Sequence, residues 1–161
     1  MQKLIYFKIF ALFSLIVLIL GTKTALIANQ LQLSNVDLLA KDQPILGNSK
    51  ASVHVIVFEE PKCPGCKEFT NLVFPLLKKN FIETHKILYT VIPVSFLPDS
   101  MPAAIAWLCV FNQEKTYAKP GLFFKYMDYM YANQPSESEN WITEENLVKF
   151  AEETSSDIRL D

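Results

Sequence analysis

Lys3 and Lys8 precede a run from Ile9 to Leu20 that is apolar on every side and uncharged until Lys23. A positive flank before an apolar core at the extreme N-terminus is the pattern of an export signal. Its twelve residues are short for a bilayer-spanning helix, which needs ~20, but Leu4 to Phe7 lengthen the apolar character if Lys8 snorkels. Neither Ala25, with Lys23 two positions before it, nor Ala28, with Leu26, makes a good small-x-small cleavage site. Residues 1–28 are therefore expected to be a signal peptide or an uncleaved signal anchor, with the positive flank in the cytoplasm and the rest exported. A membrane anchor at the N-terminus stays open on this reading.

In the exported part, residues 29–161, the first pattern is weak. Asn29 to Asp42 is mixed and moderately polar, with Asn29-Gln30-Leu31-Gln32-Leu33 a faint strand candidate, and Pro44 to Asn48 reads as a turn. Val53 to Phe58 is a continuous β-branched run broken only by His54, which predicts a strand buried on both faces within a central sheet. A helix pattern opens at Pro64, a residue suited to a first helical position, with Cys66, Phe69, Val73, Leu76 and Leu77 on the inner side. Pro75 should kink or split that helix. Lys86 to Val94 reads as a second strand, and strand, helix, strand makes a parallel pair joined by a right-handed crossover the expected topology.

The remainder is helical. Ser100 can cap a helix through Pro102 to Val110, and two further helix patterns run from Leu122 to Tyr131 and from Thr143 to Glu153. The class is α/β. Two strands alone make too small a sheet, so a second half of the sheet is expected but is not found in the sequence.

Composition narrows the function. Lys3, Lys8 and Lys23 are the basic residues of the N-terminal segment, which holds no acid, so residues 29–161 carry 12 basic against 17 acidic side chains, net −5. That balance gives no basic footprint for nucleic acid. With four glycines and no low-complexity tract, one domain is expected after the signal. Three cysteines are too few for a disulfide-built fold, so they point to chemistry instead.

Cys63-Pro64-Gly65-Cys66 supplies that chemistry. Disulfide exchange needs an attacking thiolate and a second thiol near enough to resolve the mixed disulfide. Spacing of three at a helix start puts both sulfurs on one face within disulfide reach. Cys63, at the helix entrance, faces unpaired backbone N–H groups and the positive end of the helix dipole, so it is the expected nucleophile. Cys66, one turn in beside Phe69, is the expected resolving thiol. Pro64 stiffens the redox loop, and Gly65 removes bulk where a substrate polypeptide approaches. Lys62 and Lys67 should favour the thiolate, while Glu59, Glu60 and Glu68 oppose it.

Other readings stand beside this one. Isolated C-x-x-C pairs also form structural disulfides or half of a metal site. Zinc would need two ligands from Cys109, His54 and His85, which lack the close spacing of a zinc module, whereas Cu(I) needs only two thiolates. No cofactor and no metal are expected for the exchange reaction, and a copper-binding protein is the alternative. Cys109 reads as a buried hydrophobe, His54 as a satisfied core histidine in preference to a proton shuttle, and His85 as a loop residue. Phe123, Phe124, Tyr126, Tyr129 and Tyr131 read chiefly as packing in the helical region.

From Pro44 to about Phe150 the sequence resembles the DsbA-like branch of the thioredoxin superfamily. The resemblance rests on Pro44 to Asn48 before the Val53 to Phe58 strand, Glu60 three residues before Cys63, and Cys63-Pro64-x-Cys66. It continues through Phe69, Phe74-Pro75-x-Leu77, the strand ending at Pro93, and Ser100-x-x-Ala103-Ala104 at the start of an inserted helical domain. It implies a thioredoxin-like fold over residues 29–161 with a helical insert at about 99–155. It also implies an extracytoplasmic, periplasmic oxidoreductase that forms or exchanges disulfides in exported cysteine-containing proteins and is recycled by a membrane or soluble redox partner.

Two departures change what is expected. Family members continue past the insert into a strand preceded by a cis-proline that faces the active-site sulfur, then an antiparallel strand and a closing helix. The sequence ends before these, and Pro93 sits at the wrong strand for that role, so a shortened product, inactive or dependent on another chain, is a third expectation. The DsbA-type dipeptide is Pro-His; Pro64-Gly65 lacks that cationic neighbour, which implies a less oxidising centre.

Overall fold

The computed structural model describes residues 39–117 and 121–160; the expected signal at 1–28 and the weak strand at Asn29 to Leu33 lie outside the described residues. From Asp42 onward the elements form one unit. In chain order they are β1 (Ile45–Gly47), β2 (Val53–Glu59), α1 (Pro64–Glu68), α2 (Phe74–Leu77), β3 (Ile87–Pro93), α3 (Met101–Tyr117), α4 (Leu122–Asn133) and α5 (Glu144–Thr154). Two π-helical turns, Phe69–Val73 and Lys78–Ile82, follow α1 and α2.

Among the described residues the sheet has three strands in the order β1-β3-β2. β2 and β3 run parallel in the register Val53 opposite Ile87 through Glu59 opposite Pro93, as the strand-helix-strand pattern predicts. β1 is a correction: Ile45 to Gly47 was read as a turn, yet it pairs antiparallel with Thr90 to Leu88. The neighbouring Pro44 carbonyl accepts the Val91 N–H at 3.0 Å, so the ladder extends past the short strand. Gly47 is required here, because its φ is +93° and a Cβ would lie 2.3 Å from the Ile87 carbonyl oxygen.

β2 is the second correction. It is expected to be buried on both faces within a central sheet, but among the described residues it lies at one side of the sheet, and β3 is the covered middle strand, with Tyr89, Thr90 and Val91 almost fully buried. Val53, His54 and Phe58 of β2 are exposed and Val55 to Val57 are half-buried. Continuous apolar character measures how greasy a strand's surroundings are, not how many strands flank it. Among the described residues the outer edge of β2 has no partner strand.

The helix after the cysteines is split near Pro75, as the proline predicts, but its inward face differs from the expected one. Val73 and Leu76 are exposed, whereas Thr70, Phe74 and Ile82 are buried and Leu77 is half-buried. Each π turn adds a residue to the repeat and rotates the helix face, so a 3.6-residue projection misplaces everything beyond Phe69.

The core lies between β3, this helix and α3 to α5, and includes Tyr89, Val91, Trp107, Phe123, Tyr126, Met130 and Tyr131. Trp107 packs edge-on against Tyr131 and Phe123, with centroids 5.3 and 6.3 Å apart. Full burial of such side chains contributes roughly 2–3 kcal/mol each before ordering entropy. The aromatic positions of α4 therefore serve as packing, as expected, with Tyr129 the half-exposed exception against Phe150. Ser100 precedes α3, but its hydroxyl donates backward to the Leu97 carbonyl at 2.9 Å and does not cap the helix. Thr143 does cap α5, accepting the Asn146 N–H at 3.2 Å.

Candidate active site

Cys63 is the N-cap of α1, with an extended backbone (φ −71°, ψ 119°) and Pro64 following it in the first turn. Its N–H donates to the Glu60 carbonyl at 3.1 Å, and its own carbonyl accepts from Lys67 N–H at 3.1 Å. Cys63 Sγ accepts the Cys66 N–H at 3.4 Å, an orphan donor of the helix start aimed at the sulfur. Both cysteines are half-buried free thiols. A shallow cavity of about 310 Å³ beside them is lined by Val57, Phe58, Glu59, Cys63, Gly65, Cys66 and Phe69.

Burial pushes the Cys66 thiol up to about 12; a hydrogen bond with the Glu60 backbone offsets part of this, while contact with Cys63 and the Glu59 charge add to it. Cys66 is thus held as a neutral thiol beneath Cys63 at neutral pH. Cys66 is half-buried like Cys63, and its apolar neighbour Phe69 lines the same cavity.

Glu59 and Glu60, expected from the sequence only as acids opposing the thiolate, form a buried group beside Cys66. Glu59, at the end of β2, is 3% exposed, and its Oε2 accepts the Tyr131 hydroxyl at 2.8 Å. Burial raises the Glu59 carboxyl, and hydrogen bonds from Tyr131 and Cys66 offset part of the rise. Burial and the adjoining Glu59 charge hold the Tyr131 phenol far above its ordinary value. Glu60, also buried, accepts the Lys62 N–H through Oε2 at 3.0 Å and is raised by burial, with Ser100 and Lys62 opposing. An acid pair closing an apolar strand was the available signal for these carboxyls. Tyr131 and Gln134, some seventy positions away, had none.

Both lysines flanking the cysteine pair have specific partners. Lys62 Nζ donates to the Pro98 carbonyl at 3.2 Å and Lys67 Nζ to the Gln134 carbonyl at 2.8 Å, so both bind backbone carbonyls. Gly65 has only Cys63 Sγ near its virtual Cβ, at 3.7 Å, an ordinary contact, so packing within the chain does not demand glycine there. Cys109, read as buried, is exposed on α3. His54 is likewise exposed, not a core residue, with Nε2 2.7 Å from Thr90 Oγ1. His85 lies in a turn at φ +58°. Among the described residues there is no cis peptide, no cluster of three or more His, Cys, Asp or Glu that could hold a metal, and no helix long and apolar enough to cross a membrane.

A helix-capping C-x-x-C pair directly after the parallel strand of a small mixed sheet defines a thioredoxin-like redox fold. The family described as thioredoxin matches residues 39–159, and the chain belongs to it. Within that family its similarity is to DsbA-like proteins. It is 31% identical over 116 residues to disulfide bond formation protein D of Bacillus subtilis, covering 71% of this chain and 50% of that protein. It is 33% identical over 144 residues to a probable disulfide bond formation protein D of Bacillus cereus, covering 88% and 64%. Among solved structures, Chlamydia trachomatis DsbA superposes with a TM-score of 0.63 at 39% identity, covering 70% of this chain and 58% of that one. The chain thus spans about half to two thirds of the length of these relatives.

Proposed function

We propose that the chain is an extracytoplasmic thiol–disulfide oxidoreductase acting on exported cysteine-containing proteins through Cys63 and Cys66. Cys63 is the nucleophile and Cys66 the resolving thiol, with Pro64 and Gly65 forming the loop between them. The observation that carries this reading is the pairing of a backbone N–H on Cys63 Sγ with a half-buried, neutral Cys66 thiol one turn later. The names of the relatives, disulfide bond formation proteins, support it.

In the reducing direction the Cys63 thiolate attacks a substrate disulfide, forming a mixed disulfide and releasing one substrate thiolate. Cys66 then loses its proton and attacks Cys63 Sγ, closing the Cys63–Cys66 disulfide and releasing the second substrate thiolate. Two electrons pass to the substrate. Oxidation of a substrate dithiol is the reverse. Glu59, in contact with Cys66, is placed to take that proton, because burial raises its carboxyl toward the range in which it can hold one. Residues 1–28 would direct export or anchor the chain, residues 29–161 form the thioredoxin-like domain with its helical insert at about 99–155, and a membrane or soluble partner resets the pair.

Reductive precipitation of insulin by the purified chain, with Cys63→Ser as control, tests the reading. Wild-type activity that is lost in the variant is expected. Equal activity in both proteins would refute the mechanism.

A further inference from the structure

Gln134 stands at the C-terminal end of α4, immediately before Pro135, where a polar side chain ordinarily reaches water. Only 5% of it is exposed. Its side-chain Nε2 donates to the Pro61 carbonyl at 2.7 Å, two residues before Cys63. Its backbone carbonyl accepts from Lys67 Nζ at 2.8 Å, one residue after Cys66. One residue of the helical region therefore grips the chain on both sides of the cysteine pair. Tyr131 reinforces the hold, because its hydroxyl reaches the Glu60 carbonyl at 3.1 Å and its own carbonyl accepts the Gln134 N–H at 3.4 Å.

Building on the exchange reaction proposed above, we infer that Gln134 is a positioning residue for ring closure between Cys63 and Cys66. Closure is unimolecular, so its rate and its equilibrium depend on how often the two sulfurs meet in line. Cys66 is held inside the first helical turn. Cys63 sits outside it on extended backbone; Glu60 accepts the Lys62 and Cys63 N–H groups and Lys62 Nζ reaches the Pro98 carbonyl, while the Pro61 carbonyl takes its side-chain donor from Gln134. The Gln134 amide thus helps to hold the segment Pro61 to Cys63, while the Gln134 carbonyl ties down the helix that carries Cys66. The reaction itself is unchanged: Cys66 sulfur attacks Cys63 Sγ in the mixed disulfide, the Cys63–Cys66 bond forms, the bond to the substrate breaks, and the substrate leaves as thiolate.

Gln134→Met keeps the length of the side chain and removes the amide, and Lys67→Met removes the second bond without touching the core. A hydrogen bond of this kind is worth about three- to tenfold in an equilibrium. Each variant should therefore close a preformed mixed disulfide with glutathione about three- to tenfold more slowly and shift the glutathione equilibrium toward the dithiol by a similar factor. If the two bonds act as one clip, the double variant loses less than the product of the single losses. Unchanged closure and equilibrium with a lowered melting temperature would make Gln134 a structural helix end and overturn the inference. Multiplicative losses would show two separate contacts and also overturn it. A wild-type chain that never closes the disulfide would refute the exchange reaction itself, whereas wild-type closure with unaffected variants refutes only the clip.

Discussion

Tyr131→Phe removes one oxygen from the buried floor of the site and leaves the ring in its packing against Trp107. Of the two acceptors that lose this donor, the Glu60 carbonyl keeps the Cys63 N–H, so it stays satisfied. Glu59 Oε2 loses the Tyr131 partner it has at 2.8 Å, and its residue is only 3% exposed. A hydrogen bond to a charged group is worth about 1.5–3 kcal/mol and one to a neutral group about 0.5–1.5 kcal/mol. The loss should therefore depend on the charge of Glu59. Burial raises this carboxyl above 4.5, so folding favours its protonated form. That contribution to stability is complete below the unfolded value and is lost as pH rises through the folded value. The variant raises Glu59 further and extends the loss. Urea unfolding followed by far-ultraviolet circular dichroism, with the cysteines reduced, should give a cost of about 2 kcal/mol near pH 8 and about 1 kcal/mol near pH 4. A cost under ~0.5 kcal/mol at both values, or a larger cost in acid, would refute this account of the Glu59–Tyr131 pair.

Gly47→Ala should destabilise the chain by roughly 2–3 kcal/mol or more, because a Cβ at φ +93° meets the Ile87 carbonyl; an unchanged thermal melt would contradict the placement of β1. Gly65→Ala should raise stability by about 0.4–1 kcal/mol and retain insulin reduction, since the new methyl meets only Cys63 Sγ at ordinary distance; lost activity would show that an approaching substrate needs the space. In a Cys63→Ser, Cys66→Ser background, Cys109 should react with a maleimide in the native state as fast as after denaturation. Protection until unfolding would restore the buried reading.

What was legible in the sequence was local. Cys63 to Cys66, Pro64 at the helix start, the split at Pro75 and the helix pattern beginning at Thr143 each depend on residues a few positions apart, and each appears where the pattern predicts it. The parallel β2–β3 pair followed from element order alone. What failed depended on distant partners. Ile45 to Gly47 becomes a strand only because β3 offers an edge, and turn-forming residues concealed it. Two π turns rotated the inner face of the helix away from a regular projection. The carbonyl partners of the lysines were equally hidden, because Pro98 and Gln134 lie 36 and 67 positions away. Glu59 was visible as an acid but not as a neighbour of Cys66, because Tyr131, which fixes it, lies 72 residues along the chain.

The outer side of β2, which has no partner strand among the described residues, determines what else the sheet can join. Strand margins usually repel one another through lysines, prolines or bulges, and Val53 to Glu59 contains neither lysine nor proline. Its single carboxylate is turned inward to Tyr131. Among the described residues this margin offers unpaired N–H and C=O groups to a further strand, whether from elsewhere in the protein or from another chain. A lysine introduced at exposed Val53 would oppose pairing by another chain there while leaving the cysteines, which follow the far end of the strand, in place.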